Sequence, residues 1–238
     1  MEKYLLIFDF DSTLSNQDLN INFEDSVHLF NTKFQDPLFF QHACFNEFDK
    51  MKRLFEDLIK TKMFKICVVS FGYKKMLDRF IKSSYGYDLI NQQDIYGTDG
   101  LTEKAISSKC IYNPTYQGNY CKNHIIQHLI DQYSINPCCV FFFDDNESNI
   151  NQFKEYLKDG HGNLVVPGRL LVRDVVQSLV QASLKDNILL TNLKKINNYD
   201  INIGFEMDNI SMKGGGSSSK HNKYYKYKKK YLELKNSL

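Results

Sequence analysis

Apolar and polar positions along the chain form alternating blocks that predict strands separated by helices. Four apolar runs, typical of strands covered on both faces, lie at residues 4–10, 65–72, 138–145 and 163–167, and a short further strand is predicted at 94–97. Apolar residues at helical spacing occupy residues 46–63, 73–83, 122–133 and 173–184. This alternation predicts an α/β fold with a central parallel sheet.

Three of the predicted strands end in side chains that can bind or react. Asp9 lies near the end of the first apolar run and Asp11 follows it, Ser70 lies near the end of the second, and Asp144 and Asp145 close the run at 138–145. A buried carboxylate is costly unless a cation or a hydrogen-bond donor meets it. Ligands of open parallel sheets bind at the carboxyl ends of the strands, so these residues predict a polar site at that edge.

The composition is that of a folded globular protein. The 238 residues are 42% hydrophobic and 24% charged, which supplies enough apolar material for a core. No stretch approaches the ~20 apolar residues of a membrane span, and acidic residues interrupt the first apolar run, so we expect neither a membrane anchor nor a secretory signal. The six cysteines form no C-x-x-C pair, which predicts reduced thiols in an intracellular compartment.

Four short motifs, in this order, resemble those of the haloacid dehalogenase (HAD) superfamily of phosphohydrolases. They are DFDSTL at the first strand end, VVSFG at the second, a lysine that opens a helix, and FFFDDNESNI at the later strand. The first motif is specific at a strand end, whereas the second and third are weak alone. The resemblance covers roughly residues 4–167 and implies a Rossmann-like three-layer α/β/α sandwich with a small cap or none.

The resemblance implies phosphate monoester hydrolysis through a covalent aspartyl-phosphate. Asp9 would attack the phosphorus, while Asp11 would protonate the leaving oxygen and later take a proton from the attacking water. Phosphatases and phosphomutases of this family carry an aspartate at the position of Asp11. A Mg²⁺ cofactor would screen the repulsion between carboxylate and phosphate, held by Asp9, the backbone carbonyl of Asp11, and Asp144.

The same resemblance implies the groups that would hold the phosphate. Ser70 would bind an oxygen with its hydroxyl, helped by backbone N–H groups at Phe71 and Gly72. A lysine would balance the remaining charge, and both Lys104 and Lys122 precede the last motif. Lys122 fits the family pattern better, because it opens the helix that leads into the strand and lies 22 residues before the first aspartate of that motif.

The last motif contains two further polar residues with implied supporting roles. Asp145 is the fourth residue of the predicted catalytic set and would anchor the lysine or support the metal. Asn149 would hold the loop that follows the strand.

A zinc site is the alternative for a second group of residues. His124 and His128 share one face of the predicted helix, and Cys110 and Cys121 precede it. No C-x-x-C pair accompanies them, which disfavours zinc. Mg²⁺ stays the metal that the resemblance implies.

The predicted catalytic domain spans residues 1–185, with 14–45 as a flap or mini-cap, followed by an extension at 186–212. Family members that act on small metabolites usually carry a larger cap over the site. A minimal cap implies an open site and a large substrate, such as a phosphoprotein or a nucleic-acid end.

Residues 213–238 form a Gly/Ser linker and a basic tail. This segment holds eight lysines and one glutamate, with Tyr224, Tyr227 and Tyr231 among them. Solvated charge explains such a run, but lysines also bind phosphates and tyrosines stack on bases, so nucleic acid or an acidic partner is the functional reading. The tail resembles Lys/Tyr-rich segments on many proteins of large amoeba-infecting DNA viruses, which implies an address or assembly tag and a place in the virus factory or the virion.

Two other functions stay open at this point. One is a small-metabolite phosphatase whose site is closed by oligomerisation. The other is a non-catalytic module of the same fold that acts through its basic tail. The presence of Asp9, Asp11 and Asp144 together favours an enzyme, since a pure binder has no need of all three.

Overall fold

The computed structural model describes residues 3–16, 45–98, 111–113, 118–120, 122–184 and 186–195. Several predictions lie outside the described residues and stay predictions. They concern Lys104, Cys110, Cys121, most of the 14–45 flap, most of the 186–212 extension and the tail at 213–238.

Five parallel strands form the central sheet. The strands of the described chain are β1 (Tyr4–Phe8), β2 (Phe64–Tyr73), β3 (Ile95–Thr98), β4 (Ile111–Asn113), β5 (Gly118–Tyr120), β6 (Val140–Asp144) and β7 (His161–Leu164). The sheet order is β3-β2-β1-β6-β7, and β4 and β5 form a separate antiparallel pair. Every residue of β1 and β6 is buried, which explains the apolar sequence of β1 and of β6 up to Asp144. The predicted α/β fold with a parallel sheet is confirmed.

Helices connect the strands and flank the sheet. They are α1 (Phe48–Lys60), α2 (Lys74–Ser84), α3 (Lys122–Tyr133), α4 (Glu147–Tyr156), α5 (Val172–Ser183) and α6 (Asn187–Lys195). Each buries an apolar stripe, and in α1 the stripe consists of Phe48, Met51, Leu54, Phe55 and Leu58. Four of them, α1, α2, α3 and α5, match helices predicted from hydrophobic spacing, whereas no helix was predicted over α4. The sequence analysis predicts no element over α6, where Leu189 and Leu193 are buried.

Two segments differ from their predicted structure. β7 begins and ends earlier than the predicted strand at 163–167, and the chain leaves the sheet at Val165. Pro167 cannot donate a hydrogen bond to a strand ladder, which is consistent with this early end. The interval 98–121, for which the hydrophobic pattern predicts no helix or strand, contains the β4–β5 pair, in which Ile111 lies opposite Tyr120.

Phenylalanine rings pack against one another in the core, next to the residues of the predicted site. The Phe8 ring stacks on Phe143 at 4.9 Å and packs on Phe55 at 5.3 Å, measured between ring centroids. Such pairs each contribute about 0.5–1.5 kcal/mol beyond the burial of their area. Because Phe8 and Phe143 directly precede Asp9 and Asp144, the same packing positions both aspartates.

A second polar cluster anchors the C-terminal end of the described chain. Lys3 Nζ and the Tyr4 hydroxyl both donate to Asp186 Oδ2, at 2.9 and 2.8 Å. Burial alone would raise the pKa of Asp186, but these hydrogen bonds outweigh it and lower the pKa to about 2. The cluster ties the start of β1 to the turn before α6.

The membrane prediction can be compared with the helices of the described chain. Among the described residues, no helix combines the length and the apolar character that crossing a bilayer requires.

Candidate active site

The sheet register brings the predicted aspartates together. Phe8 pairs with Phe143, and the backbone N–H of Asp9 donates to the Phe143 carbonyl at 2.8 Å. Asp9 and Asp144 therefore leave the sheet side by side, on the adjacent strands β1 and β6. They are 7% and 0% exposed, so their charges depend on protein partners.

Lys122 lies between these two carboxylates. Its Nζ is 2.9 Å from Asp9 Oδ1 and 2.6 Å from Asp144 Oδ2. Only 4% of the residue is exposed, and the ring of Phe71 lies 4.9 Å from the ammonium. Burial alone would lower the pKa of Lys122, but the charges of Asp9 and Asp144 outweigh it and raise the pKa. The lysine favoured by its spacing is thus a buried cation at the start of α3.

Asp144 uses both of its carboxylate oxygens within the protein. Lys122 donates to Oδ2 at 2.6 Å, and the backbone N–H of Asn146 donates to Oδ1 at 2.8 Å. The side-chain amide of Asn149 lies 3.0 Å from each oxygen. Asn149 therefore holds the end of β6, in agreement with the loop-holding role implied by the motif.

Asp145 faces β1 and is bonded to Thr13. The Thr13 hydroxyl donates to Asp145 Oδ1 at 3.1 Å, and the Asp145 backbone N–H donates to the same hydroxyl at 3.0 Å. Burial raises the pKa of Asp145; the hydrogen bond from Thr13 opposes this, and the charge of Asp144 adds to it. Thr13 is fully buried and was missed by the sequence analysis, although its place as the fifth residue of the DFDSTL motif was a signal.

The residues present fit a divalent cation with oxygen ligands. One carboxylate oxygen from each of Asp9, Asp144 and Asp145 lies within 4.8 Å of the others. When all are ionised, Lys122 is the one cation of the described residues that pairs with them, so that within this part of the chain two negative charges are left without a partner. Carboxylate oxygens in such a cluster are the ligands that Mg²⁺ prefers.

Asp9 itself shows the effect of this excess charge. Its Oδ1 is buried, and among the described residues it receives no hydrogen bond of good geometry, although Lys122 faces it as an ion pair. The pKa of Asp9 is raised to about 7: burial raises it most, Lys122 lowers it, and the charges of Asp144 and Asp11 raise it further. A further positive charge beside Asp9 would therefore favour its ionised form.

A bulge in β2 places the predicted phosphate-binding residues. Val69 pairs with Tyr96, and the next pair joins Tyr73 to Thr98, so β2 contains two extra residues in this interval. The Ser70 hydroxyl lies inside the bulge, buried, and accepts a hydrogen bond from Gly72 N–H at 3.2 Å. The N-terminus of α2 follows at once, which favours an anion in front of it.

Gly97 makes this bulge possible and was not singled out from the sequence. A Cβ atom at position 97 would lie 2.6 Å from the Gly72 carbonyl oxygen and 2.8 Å from the Leu77 side chain. Only a residue without a side chain lets β3 approach the bulge so closely. A glycine within a predicted strand was the available signal.

The structure also locates Asp11 and the two histidines of the zinc hypothesis. Asp11 is partly exposed, in the turn after β1. His124 is exposed at the start of α3, and the ring of His128 packs edge-on against Tyr96 at 6.2 Å. Within the described ranges, the Asp9–Asp144–Asp145 group is the one cluster suited to a metal, and it contains no histidine.

Comparisons with known proteins support the fold. No protein-family model matches the sequence, and no curated protein matches it. The HAD domain of effector protein Lem4 from Legionella pneumophila (inactive mutant) is similar, with a TM-score of 0.53 at 12% identity over 81% of this chain and 99% of that one. This likeness shows that the chain has the HAD fold, which confirms the predicted Rossmann-like α/β sandwich.

Two other solved structures were also found. Another structure of the Lem4 HAD domain has a TM-score of 0.45 at 16% identity, over 76% of this chain and 95% of that one. A phospho-aspartyl intermediate analogue of phosphoserine phosphatase has a TM-score of 0.40 at 16% identity, over 74% of this chain and 99% of that one.

Proposed function

We propose that this protein is a Mg²⁺-dependent phosphatase of the HAD type that hydrolyses phosphate monoesters through an aspartyl-phosphate on Asp9. One observation carries the proposal. A buried ammonium, Lys122, joins Asp9 and Asp144 at the carboxyl edge of a HAD-fold sheet, with Asp145 beside them. A structural ion pair needs one acid per base, so this excess of carboxylates indicates a site built for a cation and an anionic substrate.

Asp9 is the nucleophile in this proposal. Its carboxylate attacks the phosphorus, the bond from phosphorus to the ester oxygen breaks, and the phosphoryl group passes to Asp9. The Lys122 ammonium, 2.9 Å from Asp9 Oδ1, offsets part of the negative charge that gathers there. Water then attacks the phosphorus, the bond from phosphorus to the Asp9 oxygen breaks, and inorganic phosphate leaves with the Asp9 carboxylate restored.

Asp11 is the general acid and base. It gives its proton to the leaving alkoxide in the first step and takes a proton from water in the second. The residue lies in the turn after β1, two positions beyond Asp9 and partly exposed, so that substrate and water can reach it.

The β2 bulge receives the phosphoryl oxygens. Ser70 donates its hydroxyl to one of them, and the backbone N–H of Phe71 serves another. The Gly72 N–H, also predicted for this role, donates to Ser70 Oγ in the structure. The hydrogen bond from Gly72 to the Ser70 oxygen leaves the hydroxyl proton of Ser70 available for donation.

Asp9 and Asp145 are the side chains we propose to hold the metal, together with the Asp11 backbone carbonyl implied by the motif. Mg²⁺, when bound, supplies charge neutralisation for the phosphoryl oxygens. Asp144, first predicted as a metal ligand, already accepts hydrogen bonds at both oxygens, so its larger part is to orient Lys122. Thr13 fixes Asp145 toward the same edge.

We propose the same class of substrate that the sequence indicates. The short 14–45 insertion supports a large substrate, such as a phosphoprotein or a phosphorylated nucleic-acid end. The basic tail at 213–238 supports nucleic acid or an acidic partner as a second contact.

A hydrolysis assay with defined phosphate esters tests the activity. Phosphopeptides, nucleotides, sugar phosphates and end-phosphorylated oligonucleotides would be compared with and without Mg²⁺. We expect turnover that requires the metal, and Asp9→Asn should reduce it by at least about 10³-fold. Asp159→Asn is the control: it removes an exposed carboxylate between α4 and β7 and should leave turnover unchanged.

Two further results decide between an enzyme and a binding module. Rapid acid quenching of a working mixture, followed by mass spectrometry of the peptide that contains Asp9, should show one added phosphoryl group. A wild-type protein that hydrolyses none of the esters with Mg²⁺, Mn²⁺ or Co²⁺ would favour the non-catalytic module instead.

A further inference from the structure

Residues 165–168, which follow β7, connect the two acidic ends of the site. We call this segment the brace. Val165 N–H donates to the Asp144 carbonyl at 2.9 Å, and Gly168 N–H donates to the Ser12 carbonyl at 2.5 Å. The brace therefore joins the end of β6 to the turn that carries Asp11, although these parts are far apart in sequence.

Gly168 has a backbone conformation and a packing environment that suit only glycine. Its φ angle is +67°, in the left-handed region, and a Cβ atom added there would lie 2.5 Å from the Asn16 carbonyl oxygen. Real Cβ atoms do not approach backbone oxygen so closely, and backbone cannot move aside as cheaply as a side chain. The glycine is thus required by the contact between the brace and the turn.

The turn on the other side of this contact is itself in an unusual conformation. Ser12 has φ 55° and ψ 5°, a left-handed conformation that costs energy for a residue with a side chain. Leu14 N–H and Ser15 N–H return to the Asp9 and Phe10 carbonyls at 3.2 and 2.8 Å, which closes the turn. The hydrogen bond from Gly168 holds the Ser12 peptide group in place from outside.

Residues that precede α1 make further hydrogen bonds to the brace and to the chain that follows it. The Asn46 side-chain amide donates to the Gly168 carbonyl at 2.6 Å. Glu47 Oε2 accepts a hydrogen bond from Val172 N–H at 3.1 Å, four residues beyond Gly168. Both peptide groups of Gly168 are therefore hydrogen-bonded, and the brace is held by the residues before α1 as well as by the turn.

We infer that Gly168 is a positioning residue for Asp11: by fixing the left-handed Ser12 peptide, it sets the backbone that carries the general acid. The inference rests on the proposed function. Asp11 and Ser12 share a peptide bond, so the φ of Ser12 and the ψ of Asp11 together set where the Asp11 carboxyl lies relative to the leaving oxygen. A displacement of about 1 Å at such a group can cost about 100-fold in rate.

The chain offers a matched control at Gly86. That glycine also has a left-handed φ, +81°, but a Cβ atom there would meet nothing within 4 Å. Gly86→Ala and Gly168→Ala therefore carry a similar dihedral penalty, and only the second crowds the Asp11 turn. Gly168→Asn adds a third arm, because asparagine tolerates the left-handed region but keeps the Cβ atom.

Hydrogen exchange tests the brace without any assay of activity. We expect amides of residues 10–15 to exchange at least about tenfold faster in Gly168→Ala and Gly168→Asn than in wild type. Gly86→Ala should leave those amides unchanged. Unchanged exchange at residues 10–15 in both Gly168 variants would overturn the inference, whatever the enzyme does.

Steady-state kinetics then test the positioning of the acid. An alkyl phosphate needs its leaving oxygen protonated, whereas p-nitrophenyl phosphate has a good leaving group and needs the acid much less. In Gly168→Ala we expect kcat for the alkyl ester to fall by at least about tenfold, KM to change less than about twofold, and kcat for the aryl ester to fall much less. Equal losses for both esters would contradict a role through Asp11.

The two measurements separate the failure of the inference from that of the proposed function. A wild-type protein with no activity toward any ester would overturn the proposed function and, with it, the part of Asp11 as an acid. Full activity together with an unchanged alkyl-to-aryl ratio in both Gly168 variants would overturn only the inference.

Discussion

Thr13 and Asp145 hold each other across the edge of the sheet through one hydroxyl group. The hydroxyl donates to the Asp145 carboxylate at 3.1 Å and accepts from the Asp145 backbone N–H at 3.0 Å. The turn after β1 and the end of β6 are thus fixed relative to each other beside Asp9. A single buried side chain sets the distance between two proposed metal ligands.

Thr13→Val should weaken Mg²⁺ binding while keeping the shape of the side chain. Both hydrogen bonds are lost, so the backbone N–H and carboxylate of Asp145 lose a partner, and we expect the activating Mg²⁺ concentration to rise about 10-fold or more. Thr13→Ser keeps the hydroxyl and should behave like wild type. Titration of turnover with Mg²⁺ measures the effect, and equal Mg²⁺ requirements in the two variants would contradict it.

Lys122→Met should destabilise the protein as well as abolish turnover. The substitution leaves Asp9 and Asp144 buried without their shared cation, and breaking a buried pair in this way costs about 3–5 kcal/mol. Lys158→Met removes an exposed lysine and serves as the control. Urea unfolding gives the free energy of each variant; a Lys122→Met protein as stable as the control would show that the pair is not a structural requirement.

The stability of the metal-free protein should decrease as the pH rises from about 4 to 7 on account of Asp9. Burial raises the pKa of Asp9 from an ordinary value of 3.8 to about 7 in the folded protein, so the folded state holds a proton that the unfolded state has released. This contribution is fully present below the unfolded pKa and is lost as the pH passes through 7.

Magnesium should reverse that loss, because it binds the ionised carboxylate in place of the proton. We expect Mg²⁺ to raise Tm more at pH 8 than at pH 5 in thermal unfolding. In Asp9→Asn, Mg²⁺ should raise Tm by similar amounts at pH 8 and at pH 5. An equal increment at both pH values in the wild-type protein would exclude Asp9 as the group in competition with the metal.

Asp186 should make stability depend on pH in the opposite direction, and in a more acidic pH range. Its pKa is lowered from 3.8 to about 2 by Lys3 and Tyr4 against the effect of burial, so its stabilising contribution is present above the unfolded pKa and is lost as the pH falls from 4 to 2. Asp186→Asn should lower stability at pH 6 by about 1 kcal/mol and flatten the stability curve below pH 4. Asp88→Asn, at an exposed carboxylate, should leave the curve unchanged in a parallel denaturant series.

Much of the site follows from short-range patterns. The apolar run of β1 followed by Asp9, and that of β6 followed by Asp144, place these carboxylates at strand ends, and parallel strands bring their carboxyl ends to one edge. The spacing of Lys122 before the last motif also indicates its position at the start of α3. Each of these predictions uses residues adjacent to an element whose periodicity is strong.

The contacts that the sequence analysis missed join residues far apart in the chain. Gly97 faces Gly72 because β3 lies beside β2, and Thr13 meets Asp145 because β1 lies beside β6. A glycine or a threonine in a single sequence carries no label for such a partner. The α6 helix was missed for a related reason, since its polar residues mask an apolar face that only packing reveals.

The amino-acid sequence by itself determined the class of fold, the edge of the sheet at which the chemistry would lie, and the residue types available there. Periodicity and strand-end polarity are local properties, so they can be read from neighbouring positions. Only the tertiary structure decided which partners the carboxylates have, with Asp144 bonded to Lys122 and Asp145 to Thr13, and that Gly168 is hydrogen-bonded to the turn that contains Asp11. These assignments depend on distances of a few ångströms between distant segments, which arise when the strands pack.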